Sequence, residues 1–139
     1  MDLEDIYRFM KIFLIISTFF VAFSISASPK VYFINLEDGD KVESPFLIQF
    51  GLSGMGIAPA GTDRENTGHH HLLINVNDID LSKPIPSSSN HIHFGGGQTE
   101  SLVDLVPGDY SMQLVLGDMT HTPHNPPIIS QRINITVID

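Results

Sequence analysis

The chain has 139 residues, a formal net charge of -9, 42% hydrophobic residues and no cysteine, and its length is that of one domain. The acidic balance excludes a protein that binds the nucleic-acid backbone, which needs clustered lysine and arginine, and it excludes a basic amphipathic membrane helix. The absence of cysteine excludes thiolate zinc sites, iron–sulfur clusters, blue-copper centres and cysteine nucleophiles.

The first residues predict a secretory signal peptide. Lys11 precedes an apolar run at residues 12–23, and small residues follow it, which is the order of a basic flank, a hydrophobic segment and a cleavage zone. The run is shorter than the ~20 residues that a membrane-spanning helix needs. Acidic residues precede Lys11, so Met10 would make a better start than Met1. We expect a signal peptide helix at residues 1–27, an exported protein, and no membrane span after processing.

Beyond the leader, apolar residues do not recur at helical spacing. The chain has short β-rich runs separated by Gly, Pro, Asn and Asp. Residues 31–34 predict a first strand, and a turn cluster closes it. Alternating apolar side chains at residues 46–52 predict a second strand. A long glycine-rich loop at residues 53–68 separates it from a third predicted strand at residues 70–76.

The second half of the chain continues this pattern. A loop at residues 77–90 is followed by predicted strands at residues 102–106, 110–116 and 133–138, and Pro107-Gly108 suits a type II turn between the first two. Six or seven short strands at this spacing predict an all-β fold. We expect residues 28–139 to form a single antiparallel β-sandwich of the immunoglobulin-like kind, with a small barrel as the alternative.

All seven histidines follow the predicted leader, and they fall in three clusters. Side chains at positions i and i+2 of an extended chain point the same way. His69 and His71 can therefore aim two imidazoles at one point, and so can His91 and His93. Two such pairs, or one pair with a loop histidine, would supply the three or four nitrogens that zinc or copper(II) requires. The clusters are His69-His70-His71, His91-Ile92-His93 and His121-Thr122-Pro123-His124.

The sequence therefore predicts a copper or zinc site built from histidines, with nearby carboxylates to orient the rings. A competing interpretation is a pH sensor, because seven histidines that charge near pH 6 would offset most of the negative charge. The expected ligands are His69, His71, His93, His121 and His124, the additional candidates are His70 and His91, and the expected orienting carboxylates are Glu100 and Asp118.

Five motifs run in order through the chain, namely VYFI at 31–34, FGLSGMGIAPAG at 50–61, GHHHLLI at 68–74, HFGGGQTE at 93–100 and HTPHNPP at 121–127. This series resembles a family of exported bacterial proteins catalogued as domain of unknown function 4399. The resemblance covers nearly all of the chain after the leader. It implies a bacterial periplasmic or secreted location and places every histidine except His91 on a family motif. It implies no activity, so the metal site is an inference from the residues alone.

Three functions follow from these patterns. The first is a periplasmic metal-binding β-sandwich that serves as a carrier, buffer or sensor module for copper or zinc. The second is a metal-dependent enzyme that activates water or oxygen, which requires an open coordination position, and Glu100 could then act as a general base. The third is a metal-free interaction module in which Phe94, the following glycines and the histidines form a recognition surface. We expect binding rather than catalysis, and the distances among the ring nitrogens discriminate among the three.

Overall fold

The structure is a computed structural model that describes residues 2–8 and 27–139. A short helix covers residues 3–8. Most of the predicted signal peptide, including its apolar run at residues 12–23, lies outside the described residues. Among the residues that are described, no helix has the length and apolar character needed to cross a bilayer.

Nine strands follow the helix in the described part of the chain. Each of the six predicted stretches contains a strand, because β-rich runs of four or more residues between turn residues are typical of strands. Three further strands of two or three residues are too short to show a period. The strands are β1 (Lys30–Phe33), β2 (Lys41–Glu43), β3 (Phe46–Ser53), β4 (Gly56–Ile57), β5 (Thr67–Ile74), β6 (His91–His93), β7 (Glu100–Val103), β8 (Gly108–Gly117) and β9 (Ile133–Ile138).

The strands form two sheets. A small antiparallel sheet has the order β1-β3-β7, and a larger sheet has the order β2-β9-β8-β5-β4, with β6 also paired to β5. The prediction of a β protein with two sheets is confirmed. The prediction of antiparallel pairing throughout is wrong, because β2 pairs with β9 and β4 with β5 in parallel. The larger sheet is therefore mixed, and it curls into a half-barrel.

Strand β5 is buried on both faces, and this property positions the site. Leu72 and Ile74 point into the core between the sheets, together with Leu114 of β8 and Phe50 of β3. Burial of such a side chain contributes about 1.5–3 kcal/mol. The alternate residues of β5 face the other side of the larger sheet, where Leu73 joins a second apolar cluster that includes Val115 and Ile85. Both faces of β5 are thus covered, one by the small sheet and one by loops.

The two sheets stay apart along one side of the half-barrel. A groove of about 930 Å³ runs there between β1 and residues 127–133. The described residues that line it include none of the seven histidines. This groove and the histidines therefore occupy different parts of the molecule.

Candidate metal centre

Four histidines from three separate stretches of the chain meet on the outer face of the larger sheet. His69 and His71 come from β5, His93 comes from β6, and His121 comes from the loop after β8. One ring nitrogen of each histidine lies within 4.8 Å of one ring nitrogen of every other. We call this group the four-histidine cluster.

The register of the larger sheet places three of these rings. His71 lies directly opposite His93 in the antiparallel pair β5–β6, so their side chains project from the same face. His69 is two residues before His71 on β5 and projects from that face too. It lies opposite Gly117, the last residue of β8, which has no side chain on that face. Local alternation and one cross-strand pair therefore bring three imidazoles together on a rigid sheet.

The fourth ring is placed by a tight turn after β8. The Asp118 N–H donates to the Thr122 carbonyl oxygen at 2.8 Å, and the His121 N–H donates to the Asp118 carbonyl oxygen at 3.0 Å. His121 has a φ of 67°, which is uncommon for a residue with a side chain and has to be held by its surroundings. The turn directs His121 back over the strands that carry the other three rings.

The nitrogen separations match the coordination sphere of a metal ion. His69 Nε2 lies 3.0 Å from His71 Nε2 and 3.1 Å from His121 Nδ1. The His93 ring centroid lies 4.5 Å from that of His121 and 4.9 Å from that of His69. Zinc–nitrogen bonds of about 2.0–2.1 Å at tetrahedral angles put ligand nitrogens roughly 3.3 Å apart. The two separations from His69 Nε2 lie within a few tenths of an ångström of this spacing, and all four ligand nitrogens lie within 4.8 Å of one another.

Two glycines make room for the rings. A β-carbon on Gly117 would lie 2.8 Å from His71 Nε2, and a β-carbon on Gly95 would overlap the His93 ring. In the sequence, the glycines after Phe94 suggested part of a recognition surface, and Gly117 was not singled out. A glycine that ends a strand resembles an ordinary turn signal, so only the fold shows that it borders an imidazole.

Burial keeps the strand-borne imidazoles neutral. The exposed fractions of His69 and His71 are 0% and 1%. Loss of solvation, reinforced by the neighbouring imidazoles, lowers the pKa of His69 to about 4 and that of His71 to about 3. Burial also lowers the pKa of His93, and His121 adds to this effect. Near neutral pH these rings therefore carry lone pairs that are free of protons, as metal binding requires.

We expect the chain, kept metal-free by a chelator, to lose stability as the pH falls from about 6.5 to about 4. Above this window, His69 and His71 are neutral in the folded and the unfolded chain, so they add no pH dependence. Within it, the unfolded chain binds protons that the folded chain excludes. The free energy of unfolding then falls by at most about 1.4 kcal/mol per pH unit for each histidine. Thermal melts across the window measure the slope.

The matched variant for this experiment is His69→Ala/His71→Ala. It should lose less stability over the same pH range, because two of the groups that resist protonation are gone. An identical slope in parent and variant would contradict the assignment of the pH dependence to these rings.

Both additional candidates lie outside the cluster. His70 points to the opposite face of β5, where its ring centroid lies 5.1 Å from that of Phe50 and its Nδ1–H donates to the Gln98 carbonyl oxygen at 3.2 Å. His91 shares a hydrogen bond of 3.0 Å with the Ser88 hydroxyl. The structure thus places His70 in the core between the sheets and His91 beside a loop.

The remaining predicted residues are also placed apart from the four rings. His124 is half-buried, and its Nε2 lies beside Gly68 rather than in the cluster. Glu100 belongs to β7 of the small sheet, where it accepts a hydrogen bond of 3.1 Å from Gln49 Nε2. Asp118 lies next to the cluster, and its carboxylate accepts hydrogen bonds from Thr120 and Thr122 of the turn.

Comparison with known proteins gives one match. The model of a family described as "Domain of unknown function (DUF4399)" matches residues 48–138, a range that contains all seven histidines. No curated protein and no solved structure matches the chain.

Proposed function

The chain belongs to the family described as domain of unknown function DUF4399, and from its own residues we propose that it is an exported protein that binds one copper(II) or zinc(II) ion through the four-histidine cluster. Its role would be that of a carrier, buffer or sensor module. Imidazole nitrogens suit both ions, and the cluster holds no thiolate or carboxylate that would favour another metal. The signal-peptide pattern at residues 1–27 supports export, and the family resemblance supports a bacterial periplasm.

One contact carries the proposal. His69 Nε2 lies within hydrogen-bond distance of two other ring nitrogens, on His71 and His121. A neutral imidazole nitrogen has either one hydrogen or one lone pair, so it cannot form two full hydrogen bonds to two such partners. Three convergent imidazole nitrogens are therefore poorly matched to one another. A cation that accepts all of their lone pairs resolves the mismatch.

Buried ring nitrogens add a second argument. Among the described residues, the buried ring nitrogens without a hydrogen-bond partner are His69 Nδ1, His71 Nδ1 and His93 Nε2 in the cluster, and His70 Nε2 and His124 Nε2 outside it. A buried polar atom that lacks a partner costs about 1–3 kcal/mol, so a fold keeps such atoms where function requires them. An ion bound by His93 Nε2 would offset this cost at that atom. The Nδ1 atoms of His69 and His71 would not contact the ion, because the Nε2 atoms of those rings face the cluster.

Four available ligands favour binding over catalysis. A catalytic zinc ion keeps one position open for water or substrate, whereas a closed site uses four protein ligands. Glu100, the expected general base, lies on the other sheet. The metal-free interaction module also loses support, because it would gain from clusters at opposite ends of the fold, and each of the three clusters contributes to this site.

The direct test is calorimetric titration of the purified full chain with copper(II) and, separately, with zinc(II). We expect one ion per chain with Kd below about 1 μM for at least one metal. His69→Ala/His71→Ala removes both buried ligands and should weaken binding at least about 10-fold, to a Kd of about 10 μM or higher, since truncated sites keep only the affinity of loose surface histidines.

The matched control is His91→Ala, which removes a histidine outside the cluster and should bind like the parent. Binding by the parent no tighter than about 10 μM would remove the proposal, because loosely placed surface histidines reach that affinity. Equal weakening in His91→Ala would show that the ion sits elsewhere.

A further inference from the structure

We propose that Asp118 is a positioning residue for the metal site, and that its carboxylate holds His121 in place as the fourth ligand. This inference rests on the proposed function and goes further, because it assigns a role to a residue that does not touch the ion. Asp118 would act through the shape of the turn at residues 118–122.

The four ligands differ in how they are held. His69 and His71 lie on β5, which has paired strands on both sides, and His93 lies on β6, which pairs with β5. His121 is the one member of the cluster that lies on a turn. It is also only half-buried, whereas His69 and His71 are fully buried. The sheet thus supplies three ligands, and the geometry of the fourth depends on the turn.

The Asp118 side chain organises the turn from within. Its Oδ1 accepts hydrogen bonds from the Thr120 N–H at 2.7 Å, the Thr120 hydroxyl at 2.7 Å and the Thr122 N–H at 3.0 Å. These donors flank His121 on both sides along the chain. Hydrogen bonds to an ionised acceptor are roughly twice as strong as neutral ones, so three of them can hold His121 at its φ of 67°.

Neighbouring loops anchor the turn from outside. The Gly61 N–H donates to the Met119 carbonyl oxygen at 2.9 Å, and the Ile85 N–H donates to the His121 carbonyl oxygen at 2.9 Å. The backbone therefore has support that does not depend on Asp118. Loss of the carboxylate should release the His121 ring without unfolding the sheet that carries the other three ligands.

A double-mutant cycle on the full chain tests the role, with copper(II) as the probe. Asp118→Ala should weaken binding about 10–100-fold, the usual effect of losing a residue that orients a ligand. His121→Ala should weaken binding as much or more. In the His121→Ala background, Asp118→Ala should have no further effect, because its target is absent.

Two additional measurements separate positioning from a merely structural role. The electron paramagnetic resonance spectrum of bound copper(II) should change from four coordinating nitrogens toward three in Asp118→Ala. Asp118→Asn keeps an oxygen that can accept the same hydrogen bonds, so it should recover most of the affinity and the four-nitrogen spectrum. Thr120→Val removes one donor, leaves Asp118 intact, and should weaken binding in the same direction even if Asp118→Ala does not fold.

The outcomes are distinguishable. Unchanged affinity and an unchanged four-nitrogen spectrum in folded Asp118→Ala, or an equal loss in the His121→Ala background, would overturn the positioning role and leave the proposed function intact. A parent chain that binds neither copper(II) nor zinc(II) would overturn both.

Discussion

Saturating zinc(II) or copper(II) should raise the melting temperature of the parent chain by about 10 °C and should leave that of His69→Ala/His71→Ala almost unchanged. An ion that binds only the folded chain stabilises it by about 2.7 kcal/mol when the free ion is at about 100 times Kd. For a domain of this size, 1 kcal/mol corresponds to roughly 4 °C. Unfolded histidines bind metal weakly, and this reduces the shift only slightly.

The measurement is a thermal melt followed by circular dichroism or calorimetry, with and without the ion. Excess chelator should return the parent to its metal-free melting temperature. His91→Ala should respond like the parent, because its imidazole contacts Ser88 instead of the cluster. A shift of equal size in His69→Ala/His71→Ala would mean that the ion stabilises the chain through another site.

The histidine pair that β5 contributes to the cluster could be predicted from the sequence because the relevant geometry is local. Alternation along one strand fixes that His69 and His71 share a face and that His70 takes the other. No partner strand has to be known for this step. The prediction extends only as far as one strand, and it leaves open where the remaining ligands come from.

The choice between His91 and His93 depends on strand register. Both residues of β6 project from the same face of the sheet, so the i, i+2 pattern favours them equally. The pairing sets His93 opposite His71 and His91 opposite Leu73, so His91 falls beside the apolar cluster. A slip of two residues would exchange them, and a single sequence gives no measure of that register.

His121 and His124 could not be separated because no periodicity governs a loop. The turn built on Asp118 directs His121 to the cluster, while His124 continues past the strand ends toward Gly68. Glu100 could not be placed for a related reason. It follows His93 by only seven positions in the sequence, but residues 94–99 cross from the larger sheet to the small one and carry Glu100 away from the site.

Among the elements of the fold, the long strands were predictable and the short ones were not. Strands β2, β4 and β6 have two or three residues each, which is too few to show alternation. Two of them form the parallel pairs that make the larger sheet mixed. The pair β2–β9 joins segments more than ninety positions apart, as in Lys41 opposite Thr136. Turn signals describe only neighbours in sequence, so they favoured an antiparallel sandwich.

Gly117→Ala should weaken ion binding about 100-fold while the chain remains folded. The new β-carbon would lie 2.8 Å from His71 Nε2 and 3.4 Å from the His121 α-carbon, so the imidazole or the turn has to move. Ligand positions have to hold within about 0.5 Å for a metal site to keep its affinity. The backbone itself accepts alanine, since Gly117 has no positive φ.

Calorimetric titration with zinc(II) or copper(II) measures the loss, and a thermal melt without metal shows that the fold persists. Gly56→Ala is the matched control, because it adds a β-carbon to another glycine of the larger sheet. The nearest atom to that β-carbon is Thr67 Cγ2 at 3.4 Å, which is an ordinary van der Waals distance. That variant should bind like the parent. If Gly117→Ala kept the parent's affinity, His71 could not be a ligand in the position that the structure shows. The added β-carbon would lie against His71 Nε2, the atom that would bind the ion.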